Sequence, residues 1–425
     1  MKRLFSIIIL CCFIFCVGAC DTPSDPSEAQ TPFVIPQVTL SSVESLDTNK
    51  PTLEPANTLA PTSTPYQIQL DINTIAIEDY ADYIMESMTL DEKVGQLLMY
   101  GVSGTDEPSE TFMNIFLKYH VGNMILYGNN IDTSDADGGF LRASGLIEKT
   151  HAGCTLPMLV SIDLEGGGVR RFRWDRELFS AKRLGDIADE DIAFEQFKYI
   201  GEGLASAGIN MNLAPCVDVA EYPMETFLGS RIISSDPNIV SAISTACIRG
   251  MSSACCLSVA KHFPGHGSTS ADSHVTTPIV NKTLDELMAY DIAPYRDVIE
   301  AGVDGILVAH ILYPEVDPDY ISSMSHIFLT HILRNELGFD GLIISDDIRM
   351  AGVLNNFSAD QAGVRFILAG GDIVLCGAVA RYQSQIAEGL IAAVNDGTIS
   401  EERLNESVRR VIKAKLKYVN FMPLS

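Results

Sequence analysis

From about Val94 onward the chain alternates short, continuous apolar runs with longer amphipathic stretches. The runs occupy residues 95–102, 121–127, 157–163, 209–219, 255–261, 303–311, 341–346 and 372–377. Between or after them lie segments with helical period, such as 191–206, 284–301, 328–337 and 380–394. A strand that is apolar on both faces is one covered on both faces, so this alternation predicts a parallel sheet wrapped in helices. Eight units suggest an α/β fold of the (β/α)8 TIM-barrel type. Periodicity alone does not show closure, and a doubly wound open sheet is the alternative. No glycine-rich dinucleotide fingerprint follows the first strands to favour it.

The polar residues fall where these runs end. Asp163 ends the third, and Asn210, Asn212 and Asp218 interrupt and end the fourth. Lys261 and His262 end the fifth, His310 the sixth, and Asp346 with Asp347 the seventh. In a barrel the carboxyl ends of the strands share one face, so residues far apart in sequence are expected to converge on one pocket there.

Composition narrows the picture. The chain has 425 residues, 47% hydrophobic, and 55 acidic against 29 basic side chains for a net charge of −26. That balance argues against nucleic acid or an anionic membrane surface as the main partner. Lys2 and Arg3 precede an apolar stretch from Leu4 to Val17, which leads into Val17-Gly18-Ala19-Cys20. This resembles a lipoprotein signal ending in a cysteine that is lipidated, with a plain secretory signal as the other reading. Residues 21–75 are dominated by Pro, Thr and Ser and read as a disordered tether, leaving residues 76–425 as the working domain. The expectation is an exported protein, held at the cell membrane through Cys20. Cys154, Cys216, Cys247, Cys255, Cys256 and Cys376 follow no framework spacing and read as free thiols, mostly buried.

The densest chemistry lies in residues 261–274, where Lys261, His262, His266, Asp272 and His274 crowd a stretch rich in Gly, Pro and Ser. Such a loop is too polar for core and too glycine-rich for helix. In Asp272-Ser273-His274 the carboxylate can fix the ring's tautomer and raise its pKa, which suits a group that donates a proton and later removes one. An exposed pair without consequence is the competing reading. The spacing of His262, His266 and His274 fits no helix-borne zinc pair, and no metal or organic cofactor is expected. Asp346 and Asp347 point to opposite sides of a strand, so only one faces a pocket directly, unless both serve as helix caps. His310 reads equally as pocket lining or as core. Asp163-Leu164-Glu165-Gly166-Gly167-Gly168-Val169-Arg170-Arg171 lets backbone approach a ligand, and its two acids oppose a phosphate.

These segments together resemble glycoside hydrolase family 3, specifically its single-domain bacterial β-N-acetylhexosaminidases. The resemblance rests on residues 88–97, Asp163 to Arg171, residues 208–210, the KHFPGHG segment with Asp272-Ser273-His274, and Ser345-Asp346-Asp347 with Met350. The D-x-H element separates these enzymes from the family's β-glucosidases, whose acid/base lies in an additional domain that a chain ending at Ser425 is not expected to hold. The resemblance implies a retaining mechanism with Asp346 as nucleophile, His274 as acid/base and Asp272 as its partner. It also implies that Asp163, Arg171, Arg231, Lys261 and His262 hold the N-acetylglucosamine unit of a glycan, with peptidoglycan fragments the expected source. The chain departs from the pattern at Gly168, where arginine is common, and around Arg231, where Arg-Ser-Phe is usual. A phosphorylase or β-glucosidase of the same family, or a sugar-binding lipoprotein without turnover, are the alternatives.

Overall fold

The computed structural model describes residues 77–131, 136–154 and 156–419. The expected signal, tether and Cys20 lie outside the described residues. All eight predicted strands form, seven inside their apolar runs and β5 extending two residues past its own: β1 (Leu98–Gly101), β2 (Asn123–Leu126), β3 (Leu159–Ile162), β4 (Met211–Asn212), β5 (Leu257–Phe263), β6 (Gly305–Val308), β7 (Leu342–Ser345) and β8 (Val374–Cys376). Every neighbour pair is parallel, in the order β7-β6-β5-β4-β3-β2-β1-β8. A parallel bridge between Ile344 and Ile373 brings β7 back to β8 and rounds the sheet into a nearly closed barrel. The open-sheet alternative is thereby set aside.

Side-chain alternation sorts the strands into two layers. Met99, Ile125, Leu159, Met211, Leu257, Val259, Leu307, Leu342, Ile344 and Leu375 pack inside the barrel. Leu98, Tyr100, Met124, Leu126, Val160, Ile162, Ile306, Val308 and Ile343 pack outward under the helices. Val411, from the helix Glu401–Val419, joins the inner cluster and places that helix beneath the barrel.

Two predicted helices differ from expectation. Residues 284–301 form two helices, Leu284–Ala289 and Ala293–Glu300, because Pro294 suits the first turn of a new helix and not the interior of a long one. The stretch predicted as helix at 328–337 is a π-helix, Ile327–Glu336. None of the described helices is long and apolar enough to cross a membrane.

Candidate active site

The inward parity of the strands carries straight into the site. Leu159 faces inward on β3, and two and four positions later come Ser161 and Asp163. Leu257 and Val259 face inward on β5 and are followed by Lys261; Leu342 and Ile344 on β7 are followed by Asp346. Asp163, Lys261 and Asp346 therefore crown the barrel's interior stack at its carboxyl end. The β5–β6 register shifts between Lys261 and Phe263. Such an irregularity re-aims a side chain, and His262 reaches the same cavity as Lys261.

That cavity, of about 490 Å³, is lined by every residue expected to act except Asp272, which stands beside His274. Asp163, Arg171, Arg231, Lys261, His262, His274 and Asp346 all open onto it. At its base Lys261 Nζ lies 2.7 Å from both Asp163 Oδ1 and Glu165 Oε1. Arg231 adds a two-pronged contact to Glu165, with Nε at 2.8 Å and Nη2 at 2.9 Å. Arg171 reaches Asp163 Oδ2 at 3.5 Å from a backbone φ of 41°, a left-handed conformation uncommon outside glycine and typical of strained functional loops. Gly166 turns this loop at φ 92°, where a Cβ would stand 2.2 Å from Phe179 O. Burial pushes the Glu165 carboxyl up, but Lys261 and Arg231 more than offset it and hold it at about 2.

A second network lies beside the first. Asp218 takes His262 Nδ1 at 2.7 Å, the His262 N–H at 3.2 Å, the His266 N–H at 2.5 Å and the Cys216 thiol at 3.1 Å. Arg231 donates from Nη2 to His262 Nε2 at 3.2 Å, so the ring's proton sits on Nδ1, facing Asp218. Burial raises the Asp218 carboxyl, and the His262 and His266 contacts reverse this and hold it well below the usual range. Sequence reasoning missed Glu165 and Asp218 as site organisers, although both stood in or beside the apolar runs' polar ends.

The adjacent carboxylates part company. Asp347 is clamped by Arg349, whose Nε lies 3.0 Å and Nη2 2.5 Å from Oδ2, and by the Gly377 N–H at 3.3 Å. Neither aspartate caps a helix: the next one, Ala351–Leu354, begins after Met350 without a side-chain cap. Asp346 Oδ1 accepts the Asp347 N–H at 2.8 Å, and among the described residues Oδ2 has no hydrogen-bond partner. Burial raises the Asp346 carboxyl, while His262, His310, the Asp347 N–H and Lys261 together bring it below its ordinary value. It is an ionised, weakly engaged carboxylate with no cation bonded to it.

Asp272 Oδ1 lies 2.7 Å from His274 Nδ1 and accepts the His274 N–H at 2.9 Å, so the expected pair forms. With Nδ1 committed, Nε2 is the nitrogen left for a ligand. Burial tends to raise the Asp272 carboxyl, and the His274 N–H and ring lower it overall. His310 is core: fully buried, with Nδ1 2.8 Å from Ser323 Oγ. The six cysteines are free, four of them buried.

Residues 89–414 match the glycosyl hydrolase family 3 N-terminal domain. The chain belongs to glycosyl hydrolase family 3. Among similar proteins of the family, beta-hexosaminidase LpqI of Mycobacterium tuberculosis is 33% identical over 341 residues, covering 76% of this chain and 82% of that protein. Beta-hexosaminidase A of Pseudoalteromonas piscicida is 29% identical over 330 residues, 71% of this chain and 54% of its own length. A family 3 beta-N-acetylglucosaminidase from Paenibacillus superposes with a TM-score of 0.75 at 32% identity, covering 80% of this chain and 64% of that one. The chain thus spans little more than half of one such relative and under two thirds of another.

Within this family 3 site the three histidines face three different partners, Asp218, Ser273 and Asp272, and form no common ligand set. Cys216, Asp218 and His262 do bring ligand atoms within 4.8 Å of one another. Their atoms are engaged with each other, and His262 Nε2 with Arg231, so the donor set does not fit a resident ion.

Proposed function

We propose that the protein is a retaining β-N-acetylglucosaminidase that removes a terminal β-linked N-acetylglucosamine, with Asp346 as nucleophile and His274 as acid/base. The observation that carries this reading is that Asp346 and His274 open onto one cavity, with Asp272 on the histidine's far nitrogen. The names of the family relatives support the sugar assignment.

The chemistry follows from which groups are free. Asp163, Glu165 and Asp347 are each held by a cation, so none is available to activate water as an inverting mechanism requires. Asp346 attacks the anomeric carbon while His274 donates its Nε2 proton to the leaving oxygen, and a glycosyl ester forms. His274, now neutral, takes a proton from water that cleaves the ester. Asp272 keeps the proton on Nδ1 and stabilises the cationic ring before each donation. Asp163, Arg171, Arg231, Lys261 and His262 hold the sugar's hydroxyl and amide groups by charge-assisted hydrogen bonds.

We further propose that residues 1–20 direct export and that lipidated Cys20 holds the enzyme at the membrane, with residues 21–75 as tether. Wall-derived glycan fragments are then the accessible substrates. A chromogenic N-acetylglucosaminide assay on wild type and Asp346→Asn tests the activity. Loss of about 1,000-fold or more is expected; unchanged turnover removes Asp346 from the mechanism. Parallel runs with a glucoside, and with and without phosphate, separate this activity from a β-glucosidase and from a phosphorylase.

A further inference from the structure

The loop that carries the acid/base stands in solvent, with side-chain exposures of 41% for Asp272 and 64% for His274. An exposed imidazole on an irregular loop samples many positions, whereas proton donation to a leaving oxygen needs one. What restrains this loop is the residue between the two. The N–H groups of Val275 and Thr276 return to Asp272 C=O at 3.0 and 3.2 Å, and in this turn Ser273 is only 1% exposed while His274 and Val275 stand in solvent.

Ser273 is held from two directions. Its Oγ lies 2.9 Å from His266 Nε2, at the end of β5. Its carbonyl accepts the Gly352 N–H at 3.2 Å, from the segment that follows Asp346 and Asp347. Thr277 Oγ1 donates to Gly352 O at 3.1 Å, which binds the same two segments again. The approach is close: a Cβ on Gly352 would stand 3.2 Å from His310 O and 3.4 Å from Ser273 O. His266 is itself fixed by Asp218 and by the Phe227 ring, whose centroid is 4.5 Å from its own. Burial, then the His262 ring, bring His266 down to about 4, so it stays neutral near neutral pH and its bond to Ser273 does not switch there.

We propose that His266 and Ser273 are positioning residues whose hydrogen bond, with the Ser273 carbonyl on Gly352, holds the acid/base loop in register with the nucleophile's loop. This rests on the glycosidase reading, because it matters only if His274 protonates a leaving group. The test compares kcat/KM, which reports formation of the glycosyl ester, for phenyl and 2,4-dinitrophenyl N-acetylglucosaminides. The phenyl leaving group needs the proton and the dinitrophenyl one hardly does. Wild-type turnover tests the underlying reading; if it is absent, both fall.

Given wild-type turnover, Ser273→Ala is expected to lose about 100-fold on the phenyl substrate and about tenfold less than that on the dinitrophenyl one. Ser273→Thr, which keeps the hydroxyl, is expected to recover part of the loss. His266→Ala should reproduce the split and His266→Gln, whose amide reaches the Nε2 position, should ease it. A structural role alone lowers both substrates equally. Equal losses, or no loss on either substrate, overturn the proposal.

Discussion

Asp346 and Asp347 are adjacent carboxylates left in opposite states by what each one meets. Arg349 and the Gly377 N–H take the lone pairs of Asp347, while Asp346 gives up one oxygen to a single backbone N–H. A nucleophile must be ionised yet uncommitted, and only Asp346 satisfies both conditions. The same logic separates the histidines: His262 faces Asp218 and Arg231, His266 bonds Ser273 through Nε2 and buries its other nitrogen, and His274 has an exposed ring whose Nδ1 is taken by Asp272, leaving its second nitrogen open at the cavity. In the proposed mechanism its acid form is cationic, so the carboxylate behind it matters. Asp272→Ala is expected to lower kcat by about 100-fold or more on phenyl-type substrates, read in the same chromogenic assay; near-native turnover removes Asp272 from the mechanism.

Among the elements, β3, β5 and β7 set the site by parity, since every second residue of a buried strand shares a face. The helix Glu401–Val419 contributes at the opposite end. Its Lys415 is buried among uncharged partners, with Nζ 2.9 Å from Gly122 O and 2.5 Å from Gln96 Oε1. Burial lowers the Lys415 amine from 10.5 to about 7. Between those values the unfolded chain binds a proton that the folded chain does not, so this residue makes stability rise with pH from about 7 to about 10. Below about 7 its destabilisation is at full strength. Lys415→Met should therefore gain on the wild type as pH falls through that window, by roughly 5 kcal/mol at most. Melting curves at several pH values check this, and a constant offset between the two proteins removes the titration of Lys415 from the account.

At the scale of the molecule, a net charge of −26 surrounds a cavity whose lining includes Arg171, Arg231, Lys261 and Arg349. All four are matched by local carboxylates, so the site offers hydrogen bonds more than net charge, which suits an uncharged sugar. The proposed tether makes a separate demand. Cys20→Ser is expected to release most of the exported protein from the membrane fraction with turnover per molecule unchanged. Fractionation of the two forms checks it; equal membrane retention defeats the lipid anchor.

Strand number, the alternation with helices and the clustering of acids and bases at strand ends were legible in sequence, because a strand covered on both faces must be apolar and a catalytic group cannot hide inside it. The D-x-H pair was legible too, its two partners being neighbours along the chain. The break at Pro294 was within reach of the same reasoning. The ion pairs of Glu165 and three of the four contacts of Asp218 depended on segments 44 to 96 residues apart meeting in space, and closure of the sheet on the meeting of β7 with β8. Local residue patterns record which side chains are available and which face of a strand they take. Which carboxylate is left free to react is decided by neighbours that only the closed barrel brings within hydrogen-bonding distance.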